Sequence, residues 1–121
     1  MSPTIAINRN ERGMLDACLL EVLYGIPPGL GPRPDRPATV EAFDRLFRRL
    51  RKDDAAAESV VSELDGAERV MALYALKTTV AEMDYDAELQ TRTGCDRHEL
   101  CRLVERLTRE GIAEAGTVNT S

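Results

Sequence analysis

At 121 residues, the chain has the length of one domain and can bury a real core without disulfide or metal staples. It carries 16 Lys and Arg against 21 Asp and Glu, a formal net charge of −5, which disfavours bulk attraction to nucleic acid or to an anionic membrane. No stretch approaches ~18 consecutive apolar residues, so no membrane-spanning helix is expected.

Hydrophobic residues make up 43%, yet there are only three Tyr, two Phe and no Trp, so the core must be mainly aliphatic. The three Cys are an odd number, and MSPTIAINRNERG lacks the apolar run of a secretory leader. These features predict a reduced cytoplasmic chain with free thiols.

In chain order the pattern is helical almost throughout. Asn8, Asp65 and Asp96 are each followed at the third position by a Glu: Glu11, Glu68 and Glu99. An oxygen-bearing N-cap with Glu at N3 satisfies orphan N–H groups at a helix start. The first helix, about 9–24, carries Leu15, Cys18, Leu19, Val22 and Leu23 on one stripe. Leu20 and Tyr24 lie opposite, which predicts two buried faces. Residues 25–38, GIPPGLGPRPDRPA, carry five Pro. They read as a semi-rigid connector rather than an interdomain linker, because the helix before them is too small to fold alone.

Thr39 caps a helix over about 40–52 with Val40, Phe43, Leu46, Phe47 and Leu50 on one face. Asp53-Asp54 is expected to break it and start a second short helix, AAAESVVSEL. The helix at 67–84 is apolar all around its axis, as suits a central core helix or a subunit interface. Strand signals are confined to Ile112–Ala113 and Thr117–Val118.

The last part, 86–114, reads as a short helix, a turn at Thr93-Gly94-Cys95, and a longer helix opened by Asp96. Cys95 and Leu100 occupy the two positions of a hydrophobic staple. Leu100, Leu103, Val104 and Leu107 line one side, and Gly111 followed by Ile112 predicts a Schellman-type ending. His98, Arg102, Glu105, Arg106 and Arg109 lie on the other side, a net positive strip on an acidic protein. Arg side chains there suit phosphates or guanine edges, and helix N-termini favour phosphate oxygens.

Leu89, Gly94, Arg97, Arg102-Leu103-Val104, Arg106-Leu107 and Gly111-Ile112 give this stretch a resemblance to winged helix-turn-helix transcriptional regulators, MarR-like ones in particular. The helix at 67–84 would supply the first of three helices. The resemblance implies a DNA-binding regulator whose recognition helix is 96–110 and whose Arg97, His98 and Arg102 face DNA. Only ten residues follow Gly111 and none is basic, so any wing is absent or vestigial.

A second basic face, Arg45, Arg48, Arg49 and Lys52, lies opposite the apolar stripe of the 40–52 helix. It could bind phosphate, or be a solvated face paired with Glu41 and Asp44. Cys95, His98 and Cys101 are zinc-ligand types, but 95 and 101 diverge by about 120° on a helix, so no metal site is expected. With one His, no phosphate-cradling glycine loop and no nucleophile elbow, neither catalysis nor a cofactor is expected.

The composite expectation is an all-α single domain, 1–121, of five or six helices. A helical part at 8–64 packs on a helix-turn-helix-like part at 65–116. Its expected function is DNA binding in transcription regulation, as a homodimer on double-stranded DNA and away from membranes, through Arg97, His98, Arg102, Arg106 and Arg109. The alternative is a small acidic interaction module, such as an immunity protein, antitoxin or phage-encoded inhibitor, with a protein partner.

Overall fold

The computed structural model describes residues 4–25, 37–56, 61–83 and 85–119, with the backbone only for 25 and 111–119. In chain order it places strand β1 (Ile5–Asn8), helix α1 (Arg9–Leu20), a π-helical turn (Glu21–Gly25), α2 (Val40–Ala55), strand β2 (Val61–Leu64), α3 (Gly66–Glu82), α4 (Asp86–Thr93) and α5 (Arg97–Asn119). The chain is mostly helical, with no helix among the described residues long and apolar enough to cross a membrane. Most of the expected 25–38 connector lies outside the described residues.

The all-α expectation needs one correction: β1 and β2 pair antiparallel, Ile5 opposite Leu64 and Ile7 opposite Ser62. In β1, Ile5 and Ile7 turn inward while Ala6 and Asn8 face solvent. In β2, Ser62 and Leu64 are buried and Val61 and Glu63 exposed. Residues 61–64 were expected to be helical within AAAESVVSEL. Two four-residue strands are too short to outweigh helical patterning locally, and each exists only because the other satisfies its ladder. Each strand runs straight into a capped helix start. Asn8 accepts from the Glu11 N–H at 2.8 Å while Glu11 accepts from the Asn8 N–H at 2.9 Å. Asp65 and Glu68 repeat the exchange at 2.8 and 3.0 Å.

The core is one mainly aliphatic cluster into which every element sends side chains, including Ile7, Leu15, Leu19, Phe43, Leu50, Leu64, Leu76, Leu89, Leu100 and Leu107. α3 lies across it and packs on both α1 and α5. Its Thr79 is fully buried because its hydroxyl donates to the Ala75 carbonyl at 2.8 Å.

Three further expectations are revised. Leu20 and Tyr24 are exposed, not a second buried face; Tyr24 leans its ring on Phe47 and donates its hydroxyl to Asp44 at 3.3 Å. α2 starts at the Thr39 cap as expected but leaves Val40 exposed and continues through Asp53-Asp54. Both acids find partners there. Asp53 accepts from the Ser62 hydroxyl at 2.8 Å, and Asp54 faces buried Arg12 at 3.5 Å. α5 runs past Gly111 to Asn119, taking in Ile112–Ala113 and Thr117–Val118, where strands had been expected. A helix-interior Gly costs only ~1 kcal/mol relative to Ala, and Glu110, Ala113, Glu114 and Ala115 around it are good helix formers.

Candidate nucleic-acid interface

α4 and α5 meet at a tight corner. Gly94 takes φ 73°, ψ 9°, and its N–H donates to the Gln90 carbonyl at 2.8 Å, closing α4. Thr93 turns its hydroxyl back onto the Leu89 carbonyl at 2.6 Å and accepts from the Cys95 N–H at 3.2 Å. Asp96 then opens α5, accepting from the Glu99 N–H at 2.9 Å. That backbone hydrogen bond holds the Asp96 carboxyl below the usual carboxylate range. Cys95 and Leu100 are both buried at the corner, as the staple requires.

The five basic residues expected to meet a ligand separate into two groups. Arg97 turns inward. It pairs with Asp86 at 2.6 Å and donates to the carbonyls of Val80, at 3.0 Å, and Met83, so it caps the end of α3 and ties it to the start of α4. Arg106 is taken up on the opposite flank. It grips Glu11 through two 2.7 Å hydrogen bonds, pairs with Glu110 at 2.8 Å and donates to the Ala6 carbonyl at 2.9 Å. Burial works against the Arg106 charge, but Glu11 and then Glu110 outweigh it and raise its pKa. Both arginines hold α5 onto the rest of the fold.

His98, Arg102 and Arg109 are exposed on the outer side of α5, and Arg102 and Arg109 pair with no carboxylate among the described residues. At about 100° per residue the three fall within about 40° of one another. Glu99 and Glu105 are exposed beside them. Arg102 and Glu99 also border a cleft of about 480 Å³ whose other wall carries Asn8, Asn10 and Glu11.

The second basic face is partly neutralised. Arg48 pairs with Asp44 at 2.8 Å, and Arg49 reaches Glu68 and the Glu63 carbonyl, both at 2.9 Å. Arg45 and Lys52 are exposed. Arg51, off that strip, pairs with Asp16 at 3.1 Å and stacks 4.4 Å over the Phe47 ring.

Two polar centres escaped sequence reasoning. Arg12 is buried between α1 and β2, where it donates to the Ser62 hydroxyl at 3.0 Å. Its signal was visible as a cation on the apolar stripe, three residues before Leu15 and seven before Leu19. Glu21, buried in the π-helical turn, takes two hydrogen bonds from Arg92 of α4 at 2.7 and 3.3 Å; no local pattern announces that pair. Among the thiols, burial pushes Cys18 up to about 12 and raises Cys95, while Cys101 is exposed. Among the described residues, no group of three or more His, Cys, Asp or Glu is placed to hold a metal ion.

No family model, no curated protein and no solved structure matches this chain.

Proposed function

We propose that the chain binds double-stranded DNA through the outer side of α5, with α3, α4 and α5 acting as a helix-turn-helix unit of a transcription regulator, as the resemblance to MarR-like regulators implies. The carrying observation is the Gly94 corner, which presents α5 so that His98, Arg102 and Arg109 stand exposed on one side. In this reading Arg97 and Arg106 act indirectly, by fixing the angle of α5. α5 occupies the residues where strands of a wing would follow, so groove contact rests on the helix alone.

Duplex titration at several salt concentrations tests this. With two phosphate-facing arginines per chain, Arg102 and Arg109, log K should fall against log salt with a slope of about −1.8 per chain. Arg102→Ala should flatten that slope by about one unit. Salt-insensitive binding, or none at ~50 mM salt, would count decisively against it.

A second reading is favoured by Glu99 and Glu105, which interleave with the cations, and by the net charge of −5. There the same helix would dock on a basic protein surface. Its mark is stoichiometric recovery of a protein without DNA, lost in Glu99→Gln and Glu105→Gln and retained in Arg102→Ala.

A further inference from the structure

α3 and α5 pack side by side and leave an apolar flank open between them. Two adjoining hollows of about 350 and 440 Å³ share Lys77, Val104 and Glu105; Val80, Ala81 and Cys101 line the first of them. On α3 the stripe continues to Leu73 and to Val70, which is 41% exposed. At about 100° per residue, Val70, Leu73, Lys77, Val80 and Ala81 fall within about 100° of each other. Cys101 and Val104 match them across the groove. This stripe is why α3 is apolar on all sides: one side fills the core and the other reaches the surface.

The rim shared by the two hollows carries one unpaired charge of each sign among the described residues. Arg48, Arg49, Arg51, Arg92, Arg97 and Arg106 all have ion-pair partners within the chain. Lys77 and Glu105, on opposite walls of the groove, pair with no described side chain, and both are exposed. A cation on one wall and an anion on the other, both lining both hollows, make the surface complementary to itself.

We infer that a second copy of this chain docks on this flank, about a two-fold axis running along the groove. Such an axis lays α3 of one copy over α5 of the other, which sets Lys77 against Glu105 twice and Val80 against Val104 twice. This is the isologous arrangement of a symmetric dimer, in which the same patch serves both sides. The stripe from Val70 to Ala81 is ~17 Å long, which gives a patch smaller than the ~800 Å² per partner of a standard interface. The dimer is therefore weak, forming at micromolar concentration or above. His98 and Arg102 line neither hollow, but Arg109 borders the second, so a docked copy would shield Arg109 from DNA; association is therefore measured without DNA, which keeps its failure distinguishable from failure of the DNA reading.

The test is the mass of the full chain by sedimentation equilibrium, without DNA, from ~1 µM to ~1 mM, with helicity checked by circular dichroism. The wild type should shift from monomer to dimer. Lys77→Glu and Glu105→Lys, both surface changes, should each weaken association by at least ~10-fold by opposing like charges. The double exchange should restore it to within ~3-fold of wild type. Labelling of Cys101 by a maleimide should slow as the wild-type chain is concentrated, but not in Lys77→Glu. A wild-type chain that is monomeric at ~1 mM overturns the inference. So does association that ignores either single reversal, or a double exchange that fails to restore it.

Discussion

Arg106 and Glu11 stand on helices far apart in sequence and meet through two parallel hydrogen bonds of 2.7 Å. The fork of the guanidinium matches the carboxylate, and one of its two prongs, Nη2, also donates to the Ala6 carbonyl of β1 while the third nitrogen, Nη1, donates to Glu110. Glu11 is already engaged in the capping box with Asn8, so one carboxylate joins the start of α1 to the middle of α5. An arginine whose spacing suits a DNA-facing strip thus serves as an internal tie.

Arg106→Ala should therefore lower stability by ~1–2 kcal/mol, because the pair is mostly shielded and Glu11 loses its partner. Arg102→Ala should change stability by less than ~0.5 kcal/mol and act on duplex affinity instead. Urea unfolding beside duplex titration separates the two. Equal stability losses would contradict the division of the arginines into structural and exposed sets.

Gly94 and Gly13 make a contrasting pair. A methyl group on either would meet nothing within 4 Å, so backbone conformation alone decides the outcome. Gly94 sits at φ 73°, where a Cβ is strained, so Gly94→Ala should cost ~1 kcal/mol and Gly94→Asn less. Gly13 lies within α1, where Gly13→Ala should stabilise by ~0.5–1 kcal/mol. Shifts of the urea midpoint in opposite directions are the expected result.

The depressed carboxyl of Asp96 gives a pH dependence with a definite sign. Its folded pKa lies below the unfolded one, so its contribution is present above about pH 4 and is lost as pH falls through the folded value. Asp96→Ala should lower Tm at pH 7, and the gap from wild type should narrow by about pH 2.5. A gap constant from pH 7 to 2.5 would mean that the charge of the cap contributes nothing.

The thiols should differ sharply. At pH 8, exposed Cys101 should react with a disulfide reagent in the folded chain, while Cys18, fully buried and pushed up to about 12, should react only on unfolding. Because the folded Cys18 holds its proton to higher pH than the unfolded chain does, stability falls as pH rises above about 8.5. Cys18→Ala should reduce that alkaline fall, leaving the part that the raised Cys95 thiol contributes.

The helices were legible because their signals are local. Asn8 with Glu11, Thr39, and Asp65 with Glu68 mark starts that depend on residues within one turn, and Phe43, Leu46 and Leu50 reveal their face by spacing alone. The strands were not, because Ile5–Asn8 becomes a strand only when Val61–Leu64 lies beside it. The exposed face of α5 was legible as a direction, so His98, Arg102 and Arg109 emerged where spacing put them. Whether an arginine on that helix meets solvent or a carboxylate is a matter of tertiary neighbours. Arg97 and Arg106 found theirs in Asp86 and Glu11.

The pairing of β1 with β2 also imposes an order on folding. The first strand to leave the ribosome has no ladder until Leu64 has been made, and the arm of Arg106 that reaches the Ala6 carbonyl closes later still. Closing those long-range contacts carries a loop-entropy cost that local helix formation does not. The amides of Ile5 to Asn8 should thus gain protection from hydrogen exchange late in refolding, after α2 and α3 have formed. The strand made before its partner is then secured after the helices between them, and its protection reports that β1 and β2 have paired.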